Sequence, residues 1–297
     1  MISDNVKCKI CDSYNTYQMY EDLNVIKCSD CQNSFINHYS NEIIYNYKTR
    51  IPMPNYFDNK LRNRHHYNFI SSNIDLDKVK DILEIGSGSG SFIRYFRKKI
   101  KNAEITIIEP GSEYIPELTK IRNTVVYNDY VENINLSKNY DLIILSHVLE
   151  HVENPVNLIK YLHQNLLREG GHLYIDVPSI DYELRNINAA KLAPTMHLFF
   201  FDGIGIKSLL ETIGFNNNKI TGNKYKSLPS IFIKTMDQLG SLSGRNNLLF
   251  VVYLKIKIKF SLYLSSFYKT VFFRKPLIKR IEEKDFHFNN IAIIAQK

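Results

Sequence analysis

The chain alternates short apolar runs with amphipathic stretches over most of its length. Ile82, Leu83 and Ile85 form an apolar lead into Gly86, Gly88 and Gly90. A helical stretch follows from 91 to 101, and Ile105, Ile107 and Ile108 form the next strand. Residues 124–127 make a short strand. Leu142 to Leu145 is a continuous apolar run, the pattern of a central parallel strand covered on both faces. Residues 157–167 read as a helix, and 170–179 as a glycine turn with a fifth strand. Residues 208–215 read as a helix closing at a glycine that leads into a sixth strand, and 291–297 as the last strand. Strands alternating with helices predict an α/β fold on a mostly parallel sheet.

The glycine turn carries the first chemistry. Without a Cβ, the backbone can turn tightly there and come close to a ligand. Glu109 stands at the carboxyl end of the second strand, 19 residues after Gly90. An acid at that place suits a bidentate hydrogen bond to the two hydroxyls of a ribose, so the pattern argues for a nucleoside-containing cofactor. Glu84 narrows the choice. A dinucleotide brings its pyrophosphate to the helix N-terminus, where a nearby carboxylate repels it. The same carboxylate suits the ammonium and sulfonium of S-adenosylmethionine. On these residues, 83–90 resembles motif I of the class I S-adenosylmethionine-dependent methyltransferases, and Glu109 resembles their ribose-binding acid.

The resemblance covers residues 81–222 and 286–297. It implies a Rossmann-like seven-stranded sheet with helices on both faces. It also implies a cofactor site made by Glu84, Gly86, Ser87, Gly88, Gly90, Glu109, Pro110 and Ser146. Asn128 and Asp129, after the third strand, fall where the family meets the adenine, although Asn and Asp also favour turns and caps. Ser146 and His147 emerge at the carboxyl end of the fourth strand, where ligands bind in open α/β sheets. His197, in MHLFFFD at 196–202, follows the fifth strand. A histidine is the natural general base near neutral pH, which makes His197 and His147 the catalytic candidates. Glu150 and His151 share a helical face with His147. Some ubiquinone-pathway methyltransferases carry a related Glu-x-x-Glu-His run that has been linked to a metal. Here His147 replaces the first acid, so capping or packing is the reading for Glu150 and His151.

The other strong motif is at the start. The chain's four cysteines form CKIC at 8–11 and CSDC at 28–31. Two CxxC knuckles at this spacing match a tetrahedral four-thiolate zinc site with Cys8, Cys11, Cys28 and Cys31 as ligands. Nothing at the start reads as a signal peptide, since Asp4 and Lys7 interrupt it, which favours thiolates over disulfides. A closed shell of four sulfurs makes the zinc structural. A ribbon this small depends on its metal to fold.

Composition and charge fill in the organisation. The chain has 297 residues, 44% of them hydrophobic, enough for one α/β domain and a small appendage. No window reads as a transmembrane helix. The expected division is a zinc module at 1–40, a helical linker on the substrate side at 41–80, the core at 81–222 and 286–297, and an insertion at 223–285. The net charge is +8, and residues 238–281 hold nine basic residues from Arg245 to Arg280 and no acid. Three readings of that basic, apolar stretch stay open. It is a cap over the substrate site, a surface for anionic lipid or a lipid-linked substrate, or a nucleic-acid surface.

A cysteine-knuckle module followed by this core is similar to the sugar C-methyltransferases and related polysaccharide-biosynthesis enzymes. That similarity implies a cytoplasmic enzyme, or one peripheral at the inner face of the membrane. Its acceptor would be a sugar, a glycan precursor or another small hydroxylated molecule, with a histidine as base. Two departures leave C- against O-methylation open. Their large C-terminal domain has no counterpart within these 297 residues, and no tyrosine–histidine signature surrounds His197. The alternatives are a zinc-module rRNA or tRNA methyltransferase, and a non-catalytic membrane-associated scaffold on the same fold. Against RNA, the cysteine module is not notably basic.

Overall fold

The computed structural model describes residues 6–20, 24–37, 56–179, 197–223 and 290–297. All lie in one of the two units into which the chain divides, Met1–Lys224 with Lys279–Lys297. The other unit, Tyr225–Ile278, lies outside the described residues, and with it the basic stretch 238–281.

Seven strands form the main sheet. They are β4 (Asp81–Ile85), β5 (Glu104–Ile108), β6 (Thr124–Tyr127), β7 (Tyr140–Ser146), β8 (Leu167–Pro178), β10 (Asn216–Asn223) and β11 (Asn290–Gln296). Their order is β10-β11-β8-β7-β4-β5-β6. β4 pairs in parallel with both β5 and β7, so the chain builds outward from β4 in one direction and then in the other. That reversal creates a switch point, the place where open α/β sheets bind ligands. β11 runs antiparallel between β8 and β10.

Alternate side chains of each strand feed two cores, as period-two geometry requires. Ile82, Leu142, Ile144 and Tyr174 pack with Phe69 and Ile70 of α1 (Tyr56–Asn73) and with Phe92, Ile93 and Phe96 of α2 (Ser91–Arg97). Leu83, Ile143, Leu145, Leu173 and Ile175 pack on the other face. Their partners there are Leu158 and Ile159 of α4 (Pro155–Tyr161) and Ile206, Leu209 and Leu210 of α5 (Gly203–Ile213). A short helix, α3 (Ile115–Leu118), lies between β5 and β6. The helix expected at 157–167 starts earlier. Pro155 occupies its first turn, where a fixed φ and a missing N–H cost nothing, and Asn154 accepts from the Asn157 N–H at 3.0 Å. It ends in a π-turn, Leu162–Leu166. Among the described residues no helix is long and apolar enough to cross a membrane.

The N-terminal ribbon is part of the same body. Strands β1 (Thr16–Tyr20), β2 (Val25–Cys28) and β3 (Ser34–Ile36) form an antiparallel sheet whose fourth strand is β9 (Phe199–Phe200), from the MHLFFFD segment. Phe35 stands opposite Phe199, and Ser34 opposite Phe200. Cys8, Ile10, Ile26 and Phe35 join the apolar cluster that also contains Leu209 and Phe215. The sequence shows a ribbon and a core as separate modules. The pairing of β3 with β9 is long-range, and neither strand alone announces it.

Gly205, in the first turn of α5, sits directly against the ribbon. A Cβ there would come within 2.3 Å of the Cys31 carbonyl oxygen and 2.4 Å of Asn33 Oδ1. Gly→Ala inside a helix is ordinarily stabilising by roughly 0.5–1 kcal/mol. Here the sign reverses, because the obstacle is backbone. Gly205→Ala is expected to destabilise the protein by about 1–3 kcal/mol, measured by urea unfolding. A variant as stable as wild type, or more so, would show that the ribbon does not press on this helix.

Candidate functional site

The site is built at the carboxyl ends of β4, β5, β7 and β8. After β4 the chain turns through Gly86 and Gly88, with φ of 70° and 50°. A Cβ on Gly86 would strike Val148 at 2.4 Å, whereas one on Gly88 would meet nothing within 4 Å. The loop is thus packed against the protein on one side and bare on the other, which suits backbone approach by a ligand. Glu109, 6% exposed, lies across this loop. Its two carboxylate oxygens accept from the Gly88 N–H at 2.6 Å and the Gly111 N–H at 2.7 Å. Burial raises its pKa, and these two amides work in the opposite direction.

Glu84 points into the same region from within β4 and is 2% exposed. Ser87 Oγ donates to it. Burial dominates, so its pKa rises from 4.5 to about 7. The Asn128 side chain donates to the Glu109 and Pro110 carbonyls at 2.9 and 3.1 Å, fixing the turn after β5. Asp129 Oδ1 accepts from the Tyr130 N–H at 2.7 Å and from Asn133 at 2.8 Å, capping a short turn. Ser146 and Pro110 are half-buried at the rim.

Beyond Ser146 lies a cluster that the sequence shows only in part. His147 has a φ of 56°. Its Nδ1 is 3.2 Å from Glu150 and its Nε2 is 3.2 Å from Asp176. Asn290, at the start of β11, places its amide 2.8 Å from His147 Nε2 and donates to Asp176 at 3.2 Å. Burial lowers the His147 pKa, but the hydrogen bonds and charges of Asp176 and Glu150 outweigh it and lift the value to about 9. His66 reaches in from α1, with Nε2 3.7 Å from Asp176 and Nδ1 bonded to the Tyr174 hydroxyl. Burial lowers the His66 pKa to about 3, so it stands neutral. Glu150 is 1% exposed and faces two histidines, His147 at 3.2 Å and His151 at 3.8 Å. His197 arrives beside it. Its ring meets His151 at 4.7 Å, and donor atoms of Glu150, His151 and His197 lie within 4.8 Å of one another, a set that could hold a cation.

Both histidine candidates thus converge on one acid, from separate elements. Asp176, His66 and Asn290 escaped the sequence reading. The one legible signal was Asp176, an acid inside the apolar strand LYIDVP.

The four cysteines are brought together at the base of the ribbon, all within 4.8 Å of one another. Cys8 Sγ lies 3.7 Å from Cys31 Sγ, and Cys11 Sγ lies 3.6 Å from Cys28 Sγ. A disulfide needs about 2.05 Å. Sulfurs at the corners of a zinc tetrahedron with bonds of about 2.3 Å stand about 3.8 Å apart. The set therefore fits a four-thiolate metal centre and none of the disulfide pairings.

A model of the methyltransferase-domain family matches residues 56–220. The chain is 24% identical over 226 residues to the malonyl-[acyl-carrier protein] O-methyltransferase 1 of Ilyobacter polytropus, covering 61% of this chain and 82% of that protein. It is 30% identical over 108 residues to a probable (S)-tetrahydroprotoberberine N-methyltransferase 2 of Papaver bracteatum, 33% of this chain and 30% of that one. Among solved structures, a possible histamine N-methyltransferase of Thermotoga maritima superposes with a TM-score of 0.54 at 14% identity, over 86% of this chain and 99% of that one. The plantazolicin methyltransferase BpumL, solved with S-adenosylhomocysteine, gives a TM-score of 0.50 at 18% identity, over 86% and 90%. These structures share the seven-stranded fold.

Glu84 makes one prediction independent of any ligand. With its folded pKa raised to about 7 from 4.5, the folded chain holds a proton that the unfolded chain releases between those values. Its contribution to stability is full below 4.5 and is lost as pH rises through 7. Glu84→Gln is expected to stabilise the protein on the order of 3 kcal/mol at pH 8 and about 1 kcal/mol at pH 5. Urea unfolding at both values measures this, and a gain that does not grow with pH would contradict it.

Proposed function

We infer, from the premise that this chain belongs to the methyltransferase-domain family, that it is a class I S-adenosylmethionine-dependent methyltransferase. We propose that its acceptor is a sugar, a glycan precursor or another small hydroxylated molecule. The observation that supports the cofactor most directly is the pair of buried acids, Glu84 and Glu109, on either side of a glycine loop with one bare face. A buried carboxylate with no cation resists ionising, and burial lifts the Glu84 pKa to about 7. A ligand carrying an ammonium supplies the missing partner. Glu109 would hold the ribose diol, and Asn128 and Asp129 would meet the adenine. When bound, the cofactor supplies an electrophilic methyl group on sulfur.

The acceptor end argues against an anionic group. Glu150 and Asp176 are buried there, and an acceptor carboxylate or phosphate beside them would be repelled. A neutral hydroxyl meets no such penalty, which supports O-methylation of a polyol. The base falls to His197. His147, raised to about 9, already holds its proton at neutral pH and serves to neutralise the two acids. The four cysteines would hold a structural zinc, since four thiolates fill a tetrahedral shell and leave no position for substrate. The basic stretch 238–281 supports a peripheral position at an anionic membrane surface on its sequence alone.

Titration calorimetry of S-adenosylmethionine into the full chain tests the cofactor reading. Glu109→Ala is expected to weaken binding by about 10- to 100-fold, the loss of hydrogen bonds to a charged group. Wild-type affinity should rise from pH 5.5 to 8 as Glu84 ionises. Unaltered affinity in the variant, or no binding by wild type, would refute this site. Methyl transfer to nucleotide sugars and glycans tests the base. His197→Ala should lose about 10²- to 10⁴-fold in turnover with unchanged cofactor affinity. Near-normal turnover would remove His197 from that role.

A further inference from the structure

The cysteine ribbon and the acceptor side are joined by a continuous run of backbone hydrogen bonds. Ile36 N–H donates to the Leu198 carbonyl at 3.0 Å, and Leu198 N–H donates to the Glu150 carbonyl at 2.7 Å. The segment that carries His197 is therefore stitched on one side to β3 and on the other to the turn after β7. β9 itself is two residues long, too short to hold its position alone.

One side chain ties this seam to the cysteine cluster. Asn33 is fully buried. Its amide donates to Cys31 Sγ at 3.7 Å, and its Oδ1 accepts from the Asp202 N–H at 3.2 Å. Asp202 in turn caps α5, accepting from the Ile204 N–H at 2.8 Å. Asn33 also fixes its own loop, since the Cys28 N–H donates to its carbonyl at 3.0 Å. A buried amide with one end on a metal-ligating sulfur and the other on a distant N–H orients both groups.

We propose that Asn33 is a positioning residue: through it and the β3–β9 pairing, metal held by the four cysteines clamps the segment His197–Asp202 against the turn at Glu150. The ribbon is then a wall of the acceptor side. Metal loss would release His197 while the cofactor loop keeps its own anchors on β5, the Gly86 N–H on the Ile108 carbonyl and the Gly88 N–H on Glu109. The consequence for turnover rests on the reading of His197 as the base. The clamp itself does not.

Hydrogen exchange, resolved by segment on the full zinc-loaded chain, tests it without an acceptor. Chelation of the metal should raise exchange at Ser34–Ile36 and Phe199–Phe201 together, by about tenfold or more. Protection of Asp81–Ile85 and Tyr140–Ser146 should stay as it was, and so should affinity for S-adenosylmethionine. Asn33→Ala, with all four cysteines present, should retain zinc yet open Phe199–Phe201. Asn33→Asp keeps an acceptor for Asp202 but sets a like charge beside the Cys31 thiolate, so zinc affinity should fall about tenfold. Opening of Ser34–Ile36 on chelation with Phe199–Phe201 still protected would overturn the clamp. Wild-type exchange of Phe199–Phe201 in zinc-loaded Asn33→Ala would overturn the role of Asn33. If either variant loses protection of the main sheet, the chelation arm on wild type decides. A failure of the methyltransferase reading would instead show as absent cofactor binding in wild type.

Discussion

A carboxylate buried in an apolar sheet must find a partner or surrender its charge, and this constraint organises the working end of the molecule. Four acids, Glu84, Glu109, Glu150 and Asp176, are buried at the carboxyl ends of four neighbouring strands. Each answers the constraint differently. Glu109 is held by two backbone amides. Asp176 is held by His147 and Asn290, and its pKa falls to about 2 as the nearby histidines outweigh its burial. Glu150 leans on His147. Glu84 has only a serine hydroxyl and drifts towards neutrality.

The cost of such an arrangement is borne by the sheet. Its two apolar faces are packed by helices, with alternate residues of β4, β7 and β8 committed to opposite cores. That rigidity holds the acids close without letting them relax apart. A histidine with φ of 56° at the first position past β7 is a local strain that the surrounding ion pairs over-determine. Enzymes sharing this frame differ in what they methylate, because the frame fixes the cofactor end while side chains after β7 and β8 shape the acceptor end. In this chain those side chains are histidines and acids, and the cysteine ribbon joins the segment that carries His197 by strand addition.

Much of this was legible in the residues themselves. The glycine loop, Glu84 and Glu109 stand in local sequence order, and their meaning depends on a strand, a turn and the next strand. The two CxxC knuckles likewise specify their geometry by spacing, and the sulfurs lie at the separations a tetrahedral site requires. The apolar run at 142–145 announced a central strand because both faces of such a strand must be covered.

The meeting of other residues had no local signature. His66, His147, Asp176 and Asn290 come from a helix, a turn and two strands, and only the packing of the sheet brings them within reach of one another. Sequence marked His147 and His197 as candidates of equal kind. The tertiary structure sets His147 between Glu150 and Asp176, which lift its pKa to about 9, neighbours that chain order does not reveal. The union of ribbon and core was equally hidden. A two-residue strand carries no periodicity, and its partner lies more than 160 residues away in the chain. Sequence determined the elements and the chemistry that each carries locally. Long-range pairing decided which of those chemistries meet, since buried backbone and buried charge must be satisfied by whatever the fold brings alongside.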